Sequence, residues 1–364
     1  MPRLRDLGVT PGRLPAGHHN AVTDVPGVRV GHTTLISGDG PLKPGQGPVR
    51  TGVTAILPHG GNLFMQKVIA ATRTLNGFGK ACGLEQVREL GVLETPILLT
   101  NTLNVGRVAD AVVAYMLRDN PAIGITTGTV NPVVGECNDG YLNDIQGRHV
   151  RQEHVWQAIE TAASGPVAEG SVGAGTGTIC YGFKGGIGTA SRQTPEGYTV
   201  GALVQANFGG RADLLVLGVP VGRLWREANP PSPGPGSVMI ILATDAPLTA
   251  RQVGRLAQRA AFGLARTGTF CSNGSGDFAL AFSTANPRTH HATAPTVSAD
   301  SLPDENSRAL DGLFLGVVEA VEEAVLNALV AAETMVGRDN HHAPGLPPDW
   351  LTAHLTSSHR LSGA

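Results

Sequence analysis

Gly236-Ser237-Val238-Met239-Ile240-Ile241-Leu242-Ala243 follows directly on Arg226-Glu227-Ala228-Asn229-Pro230-Pro231-Ser232-Pro233-Gly234-Pro235, and this change of character governs the reading of the chain. Four prolines within residues 226–236 exclude helix and central strand, because proline has no N–H and fixes φ. The stretch reads as an extended, exposed linker. The apolar run after it reads as a strand that starts at Ser237 itself. Thr249-Ala250-Arg251-Gln252 then has the spacing of a helix capping box. Val253, Leu256, Ala257, Ala260, Ala261 and Leu264 repeat as one face of an amphipathic helix, which Gly268 ends.

Similar patterns extend in both directions. Val53 to Leu57, Pro96 to Thr100, Val200 to Gln205 and Leu214 to Val219 read as strands. Leu63 to Leu75 reads as a helix ended by Asn76-Gly77, and Val105 to Leu117 as another. Asp277 to Phe282 alternates large apolar residues with alanine, as a half-buried strand would. A long helix is expected from Leu313 to Met335, and the tail from Gly337 as a surface cap or loose end. Alternating strands and helices predict an α/β sandwich.

Composition narrows the function. The 364 residues are 41% hydrophobic but only 4% aromatic, so the core must rest on Ala, Val, Leu and Ile. A formal net charge of −2 gives no basic footprint for nucleic acid or an anionic membrane surface. No apolar run approaches the roughly 18 residues of a bilayer span. The first twenty residues lack the apolar core of a signal peptide, so a cytoplasmic location is expected. Cys82, Cys137, Cys180 and Cys271 form no CxxC pair, so no structural zinc is expected. Cys137 reads as a reactive thiol or, with more weight, as a small residue packed beside a site.

Four places carry side chains suited to chemistry. Cleavage of the Gly236–Ser237 bond would put a hydroxyl and its α-amine base on one residue. Glycine at 236 removes the Cβ that would obstruct attack on its carbonyl and tolerates strained backbone. Ser275 and Asp277, in Ser272-Asn273-Gly274-Ser275-Gly276-Asp277, could polarise a nucleophile or merely close a tight turn. The Asn207 amide, after a strand, could donate to an oxyanion or belong to a turn. Glu136, in the Gly-flanked turn expected at Gly135-Glu136-Cys137-Asn138-Asp139, could hold a substrate ammonium or be a solvated acid. Gly173 to Gly188 contains no GxxxxGK[ST] phosphate loop and reads as close backbone packing.

Taken in order, Gly236-Ser237 with its strand, Gly263-Leu264-Ala265-Arg266-Thr267-Gly268, and Ser272 to Asp277 resemble the DmpA/BapA family of self-processing aminopeptidases. That family comprises L-aminopeptidase/D-amidase-esterases and β-peptidyl aminopeptidases. Asn20-Ala-Val-Thr-Asp24, Gly61-Asn62-Leu63-Phe64, Asn76-Gly77-Phe78-Gly79-Lys80, Thr100-Asn101-Thr102, Gly173 to Thr178 and Gly182 to Gly186 extend the resemblance over about residues 17 to 337.

The resemblance implies a four-layer αββα sandwich like that of N-terminal-nucleophile hydrolases, differently connected. It implies an α chain of residues 1–236 and a β chain of residues 237–364, separated by cleavage between Gly236 and Ser237. Ser237 matches the nucleophile, Ser275 and Asp277 its supporting partners, Asn207 the oxyanion amide and Glu136 the holder of the substrate amine. Cys137 stands where threonine is expected, and some relatives carry glutamate at the position of Asp277. The implied enzyme uses no metal or cofactor, takes short peptides, amino amides or esters, and assembles as a homo-oligomer. Two alternatives remain: an acyltransferase of the ornithine acetyltransferase type, which shares the layered fold, and an uncleaved, non-catalytic binding protein.

Overall fold

The structure, a computed structural model, describes residues 2–225, 236–291, 294, 296 and 303–358. The Pro-rich linker at 226–235 lies outside the described residues. Ten strands build the two principal sheets: β1 (Arg29–Ser37), β2 (Val49–Leu57), β3 (Gln66–Gly77), β4 (Val92–Leu93), β5 (Ile97–Asn101), β6 (Val133–Cys137), β7 (Gly186–Gln193), β8 (Thr199–Asn207), β9 (Ser237–Thr244) and β10 (Gly276–Thr289). One sheet has the order β1-β2-β5-β6 and the other β4-β3-β10-β9-β8-β7. Helices α1 (Val105–Asp119) and α2 (Gln152–Glu160) cover the first sheet, and α3 (Ala250–Arg266) and α4 (Ala309–Val330) the second. The layers therefore run helix, sheet, sheet, helix, as the resemblance implies.

The β9 sequence explains its place. All eight residues of Ser237–Thr244 are buried, as expected of a strand covered on both faces. Val238, Ile240 and Leu242 pack under α3 and α4, while Met239, Ile241 and Ala243 face the other sheet. On β10, Ala279 and Ala281 lie beneath the helices, and Phe278, Leu280 and Phe282 fill the space between the sheets. The alternation read there thus sorts residues by size; the strand is covered on both faces and not half-buried. Because β9 and β10 run parallel, a crossover must join them, and α3 supplies it. Thr249 caps α3 as expected, its hydroxyl accepting the Gln252 N–H at 3.2 Å.

Several expectations need correction. Residues 66–77 form β3, not a helix: Val68, Ile69 and Ala70 are buried by pairing with β10 and β4, and the β-branched content suits a covered strand. Leu214 to Val219 is no strand. Leu217 (φ 50°) and Gly218 (φ 79°) turn the chain back so that Val216 bridges Val219. The last long helix stops at Val330 and Met335 enters a short strand. The described part of the tail, to residue 358, is anchored, with Leu346, Leu351 and Leu355 in the core. The Gly-rich stretch packs closely as expected: a Cβ on Gly188 would lie 1.9 Å from the Ala324 carbonyl oxygen of α4. Among the described residues no helix is long and apolar enough to cross a membrane.

A buried ion cluster ties the first residues to α4. Arg192, fully buried, donates to Glu319 Oε2 at 3.2 Å and Glu323 Oε2 at 2.6 Å. Glu323 also accepts from Arg5 at 2.7 Å and from the Asn20 amide at 2.6 Å. Burial pushes the Glu323 carboxyl up, but the Arg5 hydrogen bond and the Arg192 and Arg5 charges outweigh it and hold the group below its ordinary range. Its contribution is therefore present above the ordinary carboxylate pKa and is lost as pH falls through the depressed value. Removing a cation from such a cluster strands buried carboxylates. Arg192→Met is expected to lower unfolding stability by about 3–5 kcal/mol, read from urea denaturation at neutral pH. A loss below about 1 kcal/mol, the range of an exposed ion pair, would contradict a structural role for the cluster.

Candidate active site

The first residue of β9 is already paired on both sides. Ser237 stands opposite Asn207 of antiparallel β8 and beside Gly276 of parallel β10. The Gly236 carbonyl accepts the Gly276 N–H at 3.2 Å. A Cβ on Gly236 would lie 2.7 Å from the Asn207 carbonyl oxygen and 2.8 Å from Phe208 Cα. Glycine is needed there for space, as read from the sequence; its φ is not in the left-handed region, so its backbone freedom is not what the position requires.

Two N–H groups converge on Ser237 Oγ. The Asn138 backbone N–H lies 3.4 Å away and the Asn207 Nδ2 3.5 Å away. Asn207 cannot flip at no cost, because its Oδ1 accepts the Ile179 N–H at 2.9 Å, which leaves Nδ2 facing the serine. Asn138 reaches the site because β6 of the other sheet ends against β8 and β9. Gly135 permits that approach: a Cβ there would lie 2.4 Å from the Met239 methyl group. Cys137, fully buried, donates to the Ser237 carbonyl at 3.4 Å and lies 3.5 Å from that of Gln205. Burial pushes its thiol well above the usual range, so it is packing beside the site and not a reactive group.

Glu136 sits on strand β6, not in the turn expected from sequence. It is 3% exposed. Its Oε1 accepts the Lys80 N–H at 2.9 Å and its Oε2 accepts the Thr102 hydroxyl. No cation stands within ion-pair distance of it among the described residues. Phe78, Lys80, Thr102, Glu136, Asn138, Gly236, Ser237 and Gly274 line one pocket of about 240 Å³. A larger cleft of about 470 Å³ beside Arg29, Asn62 and Asp119 has no serine, threonine, cysteine, lysine or histidine among its lining residues.

Ser275 and Asp277 meet as expected, the serine hydroxyl donating to Asp277 Oδ1 at 2.6 Å. Neither makes a hydrogen bond to Ser237 in this chain. Burial raises the Asp277 carboxyl pKa, opposed by its bonds from Ser275 and Cys271. Burial pushes the neighbouring Cys271 thiol to about 12, with the Asp277 charge adding to it. A register shift between Asp277 and Phe278 re-aims the acid. Asn76 pins the loop before it, its amide donating to the carbonyls of Ser272 (2.9 Å), Asn273 (3.1 Å) and Ser275 (2.5 Å). The roles of Asn76, Thr102 and Asn138 were missed from sequence. The first two lie in stretches already singled out by resemblance, which was the one signal available. Among the described residues no group of three or more His, Cys, Asp or Glu side chains is placed to hold a metal.

The comparisons agree with this arrangement. The model of peptidase family S58 matches residues 20–343. The chain is 46% identical to the β-peptidyl aminopeptidase BapA of Sphingosinicella microcystinivorans, over 100% of this chain and 94% of that protein. The solved β-aminopeptidase of a Burkholderia species superimposes with a TM-score of 0.91 at 45% identity, covering 98% of this chain and 99% of its own. The L-aminopeptidase D-Ala-esterase/amidase of Ochrobactrum anthropi, described as a serine aminopeptidase with a variant N-terminal-nucleophile hydrolase fold, does so with a TM-score of 0.92 at 42% identity, over the whole of both chains. With its αββα layers and a serine at the head of the central strand, this chain belongs to peptidase family S58 and is a hydrolase of the serine aminopeptidase type.

Proposed function

We propose that the chain matures by cutting itself before Ser237 and then removes N-terminal residues from short peptides, amino amides or esters. The observation that carries the reading is the placement of Ser237 and Glu136 on one pocket. A buried carboxylate costs free energy unless a cation or donors compensate it. Among the described residues Glu136 has two donors and no cation, so a substrate ammonium completes its shell.

In maturation, Ser237 Oγ attacks the Gly236 carbonyl carbon, whose oxygen already accepts the Gly276 N–H. The Gly236–Ser237 C–N bond breaks, the hydroxyl proton passes to the departing nitrogen, and an ester remains. Water hydrolyses it to the Gly236 carboxylate and a Ser237 with free hydroxyl and amine. The new α-amine then serves as base for the hydroxyl beside it. Oγ attacks the substrate carbonyl, the amine leaves with the proton, and water releases the acyl group. Ser275 and Asp277, hydrogen-bonded to each other and not to Ser237 in the uncut chain, are assigned to proton transfer with the serine. Neither the cut nor the acyl-enzyme needs a metal in this scheme.

Asn207 Nδ2 and the Asn138 N–H supply the oxyanion donors. At 3.4–3.5 Å from Oγ they are long for bonds to the hydroxyl itself. They are better placed for the oxygen of a tetrahedral intermediate bound next to Oγ, where charge develops. Processed Asn207→Ala is expected to lose about 10²–10³ in kcat with a much smaller change in KM. An unchanged kcat would remove the amide from the mechanism.

The amine site has its own test. Wild type is expected to hydrolyse alanine anilide and to leave N-acetylalanine anilide intact. Glu136→Gln keeps the shape but loses the charge. Its kcat/KM on the free-amine anilide is expected to fall roughly 10–100-fold, the equivalent of about 1.5–3 kcal/mol for a charged hydrogen bond, with processing retained. Equal turnover of both anilides by wild type would refute the ammonium pocket. A wild-type preference surviving in Glu136→Gln would place the amine elsewhere.

A further inference from the structure

The pocket that holds the buried Glu136 is also lined by an exposed lysine, Lys80. The segment Phe78-Gly79-Lys80 runs directly over Gly276, the sheet neighbour of Ser237: a Cβ on Gly276 would lie 2.7 Å from the N and Cα of Gly79. From this position the Lys80 backbone N–H holds Glu136. Its side chain turns the other way. Nζ donates to the Phe78 carbonyl at 3.2 Å and stands 5.1 Å from the Phe78 ring centroid. Among the described residues no carboxylate lies within ion-pair distance of it, although Lys80 lines the pocket together with Glu136 and Ser237.

One small pocket thus presents a carboxylate held only by neutral donors, a nucleophile and an ammonium with no acid beside it among the described residues. Its volume of about 240 Å³ falls below the ~300–1,000 Å³ of pockets for drug-sized ligands. The complementary molecule is short and zwitterionic, with an ammonium at one end, a carboxylate at the other and a scissile amide between. The Phe78 ring, 59% exposed, offers the second residue an apolar surface. Taking Glu136 as the amine site proposed above, we propose that Lys80 binds the terminal carboxylate of the leaving amino acid, so that free dipeptides are preferred over dipeptide amides. Lys80 is a specificity residue in this account; the bond-making atoms belong to Ser237.

The test compares dialanine with dialaninamide, following cleavage of the internal peptide bond. Both carry the same free amine and scissile bond, so any disturbance of Glu136 affects them alike and cancels in their ratio. Wild type is expected to favour the acid by roughly tenfold or more in kcat/KM. Lys80→Met is expected to bring the ratio near one, and Lys80→Arg to keep it well above one. Added salt is expected to raise KM for dialanine more than for its amide. Equal kcat/KM for acid and amide in wild type, or a ratio unchanged in Lys80→Met, would overturn the proposal. Alanine anilide, which has no carboxylate, separates the two levels. If wild type does not cleave it, the aminopeptidase reading fails. If wild type cleaves it and the acid-to-amide ratio is one, only the role of Lys80 fails.

Discussion

Everything at this site depends on Ser237 being held by strand pairing from the first residue of β9. It faces Asn207 on one side and Gly276 on the other. That places a hydroxyl, the peptide bond before it and two N–H donors at one fixed point between two sheets. Strand pairing also explains the glycine at 236, where the chain passes too close to residues 207 and 208 for any side chain. A nucleophile on a mobile loop would need other means of fixing its direction. Here the ladder hydrogen bonds of a buried central strand do it.

The second sheet completes the site by coming close at a single end. Gly135 lets β6 press against Met239, and Cys137 fills the contact beneath the nucleophile. The next residues on either side, Glu136 and Asn138, then face the pocket. Glu136 contrasts with the buried acids of the ion cluster. Glu319 and Glu323 are neutralised by Arg192 and Arg5 within the fold. Glu136 is as deeply buried and has only neutral donors. Lys80 stands at the same pocket with no acid within ion-pair distance among the described residues. In the six-stranded sheet, the strands from residues 237–364 are the two central ones, flanked on both sides by strands from the first 236 residues. Two chains made by cleavage would remain interleaved.

The parts of this arrangement legible in the sequence were those with a strong local signal. β9 could be read because eight buried residues in succession leave an apolar run with a sharp start. α3 could be read from its cap and its periodicity. Residues 66–77 misled because their apolar spacing suits a helix stripe as well as a strand, and only pairing with β10 decides between them. Leu217 misled because nothing local marks it for positive φ. Thr102 and Asn138 went unnoticed because their roles come from residues 34 and 99 positions away. Long-range contact of that kind leaves no trace in composition or spacing. Family resemblance pointed to the right stretches without saying which atoms in them act.

Self-cleavage between Gly236 and Ser237 precedes every later step proposed for Ser237, and intact-mass spectrometry of purified protein reads it without a substrate. Two species in equal amounts are expected, of roughly 24 and 13 kDa by proportion from 37.6 kDa, the smaller beginning at Ser237, and a single full-length species for Ser237→Ala. A wild-type chain that stays whole while active, or a Ser237→Ala chain that still splits at this bond in a protease-free preparation, would contradict it.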